Sequence, residues 1–130
     1  MDLEQQTAEQ IKQIFLAGNL PKALQLAQQS LRDYPNNAVL QKVQAYCLFK
    51  MEHYKEAAVC FHQIESVVNH DPSILANLGS CYFHLKYYDK AARYFIQALN
   101  KQFNAEWAVN LGNCYCLLYT SPSPRDGIGS

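Results

Sequence analysis

The sequence predicts an all-α solenoid, a right-handed superhelix of antiparallel helix pairs with three repeats plus one extra helix. Three observations predict it. Ala23, Ala57 and Ala91 recur at one constant interval, and Phe61 and Phe95, and Tyr54 and Tyr88, keep the same interval. The string Asn77-Leu78-Gly79-Ser80-Cys81-Tyr82 returns as Asn110-Leu111-Gly112-Asn113-Cys114-Tyr115, with one substitution and an interval shorter by a single position. Helix start and stop signals fall between these anchors. A period of this length marks a repeat architecture, in which one helix pair cannot bury both of its apolar faces and stacked pairs can.

Each element follows from local chemistry. Helices are expected near residues 4–17, 21–33, 38–50, 54–67, 72–85, 88–101 and 105–117. Gly18-Asn19 ends the first, because both residues tolerate the left-handed backbone of a helix C-terminus. Tyr34-Pro35-Asn36-Asn37 separates the second from the third. Asp71-Pro72 pairs an N-cap with proline at the first helical position. Asn36-Asn37 and Asn104 precede two further starts. Within each pair, a small residue in the first helix (Ala45, Gly79, Gly112) allows close approach of the second. The alanine of the second helix does the same from its side, and tyrosine and phenylalanine fill the space between.

Composition bounds the rest. At 130 residues the chain is one domain or a piece of a larger one. Hydrophobic residues make up 49% and the formal charge is zero. No basic excess marks a nucleic-acid binder. The polar, acidic N-terminus lacks a secretory pattern, and no apolar run approaches the roughly 18 residues of a membrane span. A cytoplasmic location is the expectation.

The period, about 34 residues, with Leu-Gly-x-x-Tyr and then alanine, phenylalanine and alanine, resembles the tetratricopeptide repeat (TPR) consensus. Repeat three carries it most fully, with Leu78, Gly79 and Tyr82 in its first helix and Ala91, Phe95 and Ala98 in its second. Repeat two has Ala45 in the glycine slot, then Ala57 and Phe61. Repeat one has Ala23, Ala27 and the closing proline. The resemblance covers residues 4–118, divided into repeats of about 4–37, 38–71 and 72–104 and a partial repeat, 105–118.

Residues 116–126 resemble the in-frame translation of a transposon-end adapter used to build sequencing libraries. The second helix of repeat four does not arrive, and Ser121-Pro122-Ser123-Pro124 breaks the periodicity instead. Residues 119–130 are therefore expected to be a disordered, non-native tail, and the natural protein to continue past Tyr115. The last helix is then expected to show an apolar face. A natural Ser/Pro-rich tail is the alternative.

No chemistry-bearing constellation is evident, and no catalytic residue, cofactor or metal is expected. Cys47, Cys81 and Cys114 fall one repeat apart, at about 10 Å or more for packed helices, beyond disulfide reach. They read as buried small hydrophobes, as does Cys60. His53, His62, His70 and His84 form no metal-ligand spacing. His84 lies late in its helix, where it can face a ligand, although solvated or packing roles suit all four. No phosphate-binding or nucleophile-elbow motif occurs.

The TPR resemblance places the slot before Leu-Gly on a concave groove, which puts Asn77 and Asn110 there. An asparagine amide can pair with the backbone of an extended peptide whatever its sequence. The pair resembles the asparagine ladder in the repeat arm of O-linked N-acetylglucosamine transferases, although Val43 interrupts it in repeat two. A solvent-facing polar residue suits the slot equally. Helical geometry adds Lys42, Tyr46, Phe49, Ser73, Ser80, Phe83, Glu106 and Asn113 to the groove, and His84 joins them.

Some TPR domains clamp the acidic C-terminus of heat-shock chaperones with lysine, asparagine and arginine. The matching positions are Ala8, Lys12, Val43, Ser73 and Asn77 in one frame, and Lys42, Tyr46, Asn77, Glu106 and Asn110 in the next. Neither supplies that cationic clamp. The resemblance implies a scaffold or adaptor holding a partner's extended peptide or helix, with self-stacking through the uncapped last helix also open. Alternatives are the N-terminal substrate arm of a multidomain enzyme such as a glycosyltransferase, or a small chaperone of secreted substrates.

Overall fold

The computed structural model describes residues 2–68 and 71–120, with Val68 by its backbone alone. The described residues form α-helices and no strand: α1 (Leu3–Leu16), α2 (Leu20–Asp33), α3 (Ala38–Lys50), α4 (Tyr54–Val68), α5 (Pro72–His84), α6 (Tyr88–Lys101) and α7 (Ala105–Thr120). This is the all-α array of helix pairs that the period implies. The largest departure is at α7, which runs on to Thr120, so residues 119 and 120 of the expected disordered tail are helical. Residues 121–130 and His70 lie outside the described residues.

The caps explain the starts. The Asp2 carboxylate accepts from the Gln5 amide at 2.8 Å, and the Gln5 side chain accepts in return from Asp2 N, a reciprocal capping box. Asn37 accepts from Leu40 N at 3.0 Å, Asp71 from Ser73 N at 2.8 Å and Asn104 from Trp107 N at 3.1 Å. Each satisfies a donor that the first helical turn leaves unpaired.

The stops share one geometry. Gly18, Glu52 and Lys86 lie one repeat apart and all have positive φ, at 91°, 66° and 70°. Gly18 N donates to Phe15 O and Asn19 N to Ile14 O. The same two bonds recur as Glu52 N to Phe49 O with His53 N to Leu48 O, and as Lys86 N to Phe83 O with Tyr87 N to Tyr82 O. Each is a Schellman turn, which closes the helix and begins the chain reversal.

The chain divides into two compact units, residues 1–60 and 61–130. In the first, α2 packs on α1 and α3, and α1 also meets α3. Ala8, Ile11, Ala23, Ala27, Leu40, Val43 and Cys47 form its core. Asn37 donates to the Glu4 carboxylate at 2.9 Å, tying the start of α3 to that of α1.

In the second unit α6 packs on both α5 and α7. Leu75, Ala76, Ala91, Ala92, Phe95, Ala98 and Cys114 are buried together. Gly79 is where close approach requires glycine, because a Cβ there would stand 3.0 Å from the Phe95 ring. Burying that ring contributes roughly 1.5–3 kcal/mol. One turn along α5, His62 of α4, Tyr82 of α5 and Tyr94 of α6 pack as a ring cluster, with the two tyrosines stacked at 5.6 Å.

The cysteines fit their expected packing role. Cys47, Cys81 and Cys114 are buried cysteines outside any disulfide and Cys60 is half-buried. Burial pushes Cys47 and Cys114 up to about 11, which keeps them as unreactive thiols. No helix of the described residues is long and apolar enough to cross a membrane.

Candidate functional site

Two clefts on the first helices of the repeats, one from each unit, hold groove candidates. The cleft of the second unit has a volume of about 190 Å³ and is lined by Ser80, Phe83, His84, Phe95 and Asn110. It gathers four groove candidates: Ser80 and Phe83, assigned by helical spacing, Asn110, assigned by the TPR resemblance, and His84, late in its helix. Ser80, Phe83 and His84 come from the last turns of α5, and Asn110 from the second turn of α7. Phe95 of α6 closes it. Its ring reaches this position because Gly79 carries no side chain to block it.

The cleft of the first unit is larger, about 280 Å³, and lies between α1 and α3. Lys42 and Tyr46 line it as expected. Lys12, Phe15, Leu16, Val39 and Val43 join them. Tyr46 packs against Phe15 with ring centroids 6.5 Å apart. Two ammonium groups therefore stand beside an apolar wall that carries no acidic side chain.

Other groove candidates are placed differently. Phe49 lines neither cleft. Its ring meets the edge of Tyr54 at 5.5 Å, across the α3–α4 turn. Phe83 makes the same contact with Tyr88, also at 5.5 Å, yet stays in its cleft. Asn77 is half-buried on α5, and Ser73, Glu106 and Asn113 lie elsewhere on their helices; none of the four lines a cleft.

Phe15 was legible and missed: Phe15, Phe49 and Phe83 recur at the same interval as the alanines. Leu16 and Val39 gave no such signal, since the approach of α1 to α3 alone makes them walls.

Among the described residues no group of three or more His, Cys, Asp or Glu side chains is arranged to hold a metal ion. The clefts offer two hydroxyls, an amide, an imidazole and two ammonium groups on aromatic and aliphatic surface. Those groups can grip a peptide, whose backbone needs donors and acceptors and whose side chains need apolar contact.

Comparison with known proteins agrees with this architecture. The family profile described as Psidin, N-terminal TPR repeats region, matches residues 9–120. No curated protein sequence matches significantly. Among solved structures, MamA of AMB-1 is similar with a TM-score of 0.78 at 17% identity, over 86% of this chain and 62% of MamA's. This chain therefore spans less than two thirds of that protein's length. The first TPR of Spaghetti (RPAP3), bound to the HSP90 peptide SRMEEVD, is similar with a TM-score of 0.81 at 17% identity, over 89% of this chain and 93% of that one. The C-terminal TPR-containing domain of a Plasmodium falciparum FK506-binding protein has a TM-score of 0.81 at 12% identity, over 91% of this chain and 89% of that domain. At such identities the likeness is one of fold.

Proposed function

Because the chain belongs to the family of Psidin N-terminal TPR repeat regions, we propose that it is a protein-interaction scaffold whose clefts hold a segment of a partner protein. The observation that carries this reading is the convergence of Ser80, Phe83, His84 and Asn110 on one cleft. The Asn110 amide and Ser80 hydroxyl supply donors and acceptors for a peptide backbone, and Phe83 and Phe95 supply apolar contact. Both clefts fall below the roughly 300–1,000 Å³ usual for small-molecule pockets. Each suits one or two side chains of a longer segment. No cofactor and no reaction enter this reading.

The test is a displayed peptide library selected against the full chain, followed by calorimetric titration of a selected peptide. Asn110→Ala and His84→Ala should each weaken binding about tenfold, roughly 1.4 kcal/mol, with the melting temperature unchanged. Unchanged affinity in both variants removes the cleft from the reading. Asn77→Ala combined with Asn110→Ala tests the asparagine pair in the same titration. A peptide ending Glu-Glu-Val-Asp, the kind held by the similar Spaghetti domain, serves as the control. With Ala8, Val43, Ser73 and Asn77 where a carboxylate clamp needs its cations and amides, it should not bind in the micromolar range, and binding there would overturn that exclusion.

A further inference from the structure

The groove between α1 and α3 changes its charge along its length. Val39 borders two hollows: the cleft of about 280 Å³ described above, and one of about 290 Å³ nearer the helix starts. In the first, Lys12 of α1 and Lys42 of α3 stand with Phe15, Leu16 and Tyr46. The second is lined by Gln5 and Glu9 of α1 and by Asn37, the cap of α3. The Glu4 carboxylate accepts from that same Asn37 at 2.9 Å and adds a second negative charge there. Early residues of α1 therefore make one end acidic, and later residues make the other basic and aromatic.

These charges are not neutralised within the unit. Among the described residues neither Lys12 nor Lys42 enters a salt bridge. Glu9 accepts from the Gln13 side chain at 3.0 Å, a neutral donor that leaves its charge in place. Lys12 and Glu9 are exposed and Lys42 is half-buried, within reach of a partner. Leu16, 61% exposed, and Val39, 37% exposed, leave apolar surface open beside them.

We propose, resting on the scaffold reading above, that this groove selects an extended peptide segment of the pattern aromatic-x-acid-x-cation, in either chain direction. The aromatic ring packs on Phe15, Leu16 and Tyr46, the carboxylate lies between Lys12 and Lys42, and the cation meets Glu9. The spacing follows from geometry. Glu9, Lys12 and Phe15 succeed one another at about 4.5 Å along the helix axis. Residues two apart in an extended chain face the same way at about 6.6 Å, so three alternate side chains come closest to matching the three stations. Opposite charges at the two ends fix the register of the segment, which is where electrostatic complementarity confers specificity. A chain end of Glu-Glu-Val-Asp supplies no aromatic ring and crowds acids towards Glu9, in keeping with its exclusion above.

The probe is the blocked peptide acetyl-Ser-Trp-Ser-Glu-Ser-Lys-Ser-amide, titrated into the full chain and followed by amide NMR shifts. Saturable binding centred on α1 and α3 is expected. Exchanging the Glu and Lys of the peptide should weaken it about tenfold, and Lys12→Gln combined with Lys42→Gln in the protein about fivefold. Added salt should weaken the native complex as well. These lysines lie on helix surfaces, so the variant should keep its melting temperature. Absence of saturable binding overturns the proposal, as does equal binding of the exchanged peptide or of the double variant. If this peptide fails while a display-selected peptide binds, the charge pattern is wrong and the scaffold reading stands; if neither binds, both fall.

Discussion

His62 Nε2 and the Tyr82 hydroxyl share a hydrogen bond of 2.8 Å between α4 and α5. Tyr94 of α6 closes over the pair, and Lys90 holds its ammonium 4.5 Å from the centre of the Tyr82 ring. A half-buried imidazole is thus set among two phenols and a cation, with Glu65 as the acidic group acting on it.

Burial first, and the Lys90 charge second, lower the pKa of His62 below 6.5, while Glu65 acts in the opposite direction. The unfolded chain then binds a proton more readily than the folded one. Stability is full above the unfolded value near 6.5 and is lost as pH falls from there through the lower folded value. Urea midpoints measured near neutrality and at about pH 5 should show this loss. His62→Gln should be less acid-sensitive than the native protein. An equal loss in the variant would assign it elsewhere.

The two Leu-Gly pairs should respond to alanine with opposite signs. Gly79→Ala places a methyl 3.0 Å from a ring that is itself buried, and should cost about 1–3 kcal/mol. Gly112→Ala meets nothing and should stabilise by up to about 1 kcal/mol through helix propensity. Thermal or urea unfolding of both variants decides it. Equal effects would mean that α6 is not seated on Gly79 as described.

The three Schellman turns allow a third test. Glu52 is exposed and holds φ at 66°, where a side chain is unfavourable. Glu52→Gly should therefore stabilise by about 0.5–1 kcal/mol, while Gly18→Ala, at φ 91°, should destabilise by a similar amount. Urea unfolding of the two variants reads both. A destabilising Glu52→Gly would show that the Glu52 side chain contributes more than its backbone strain costs.

Much of this was legible because it is local. Helix boundaries rest on hydrogen bonds within one turn and on caps such as Asp71 and Asn104, so they can be read from the residues alone. Alanine, phenylalanine and tyrosine recurring at a constant interval identified helix pairs, because one packing problem is solved the same way in each repeat. Part of each cleft was legible too. Lys42, Tyr46, Ser80 and Phe83 follow from helical spacing, Asn110 from the repeat resemblance and His84 from its place late in its helix, whereas Leu16 and Val39 follow from none of these.

The sequence by itself determined which residues form helices, where the caps lie and which alanines and aromatic rings face inward. It could not separate Gly79 from Gly112, which sit in nearly the same string. Only tertiary structure decided that one is filled by Phe95 and the other is open, because a residue's environment is set by the helix that packs on it. The same reason covers Glu52 and Lys86, held left-handed by chain reversals that leave no mark in their residue type. Local chemistry writes the helices, and contacts between helices distribute their surfaces between core and cleft.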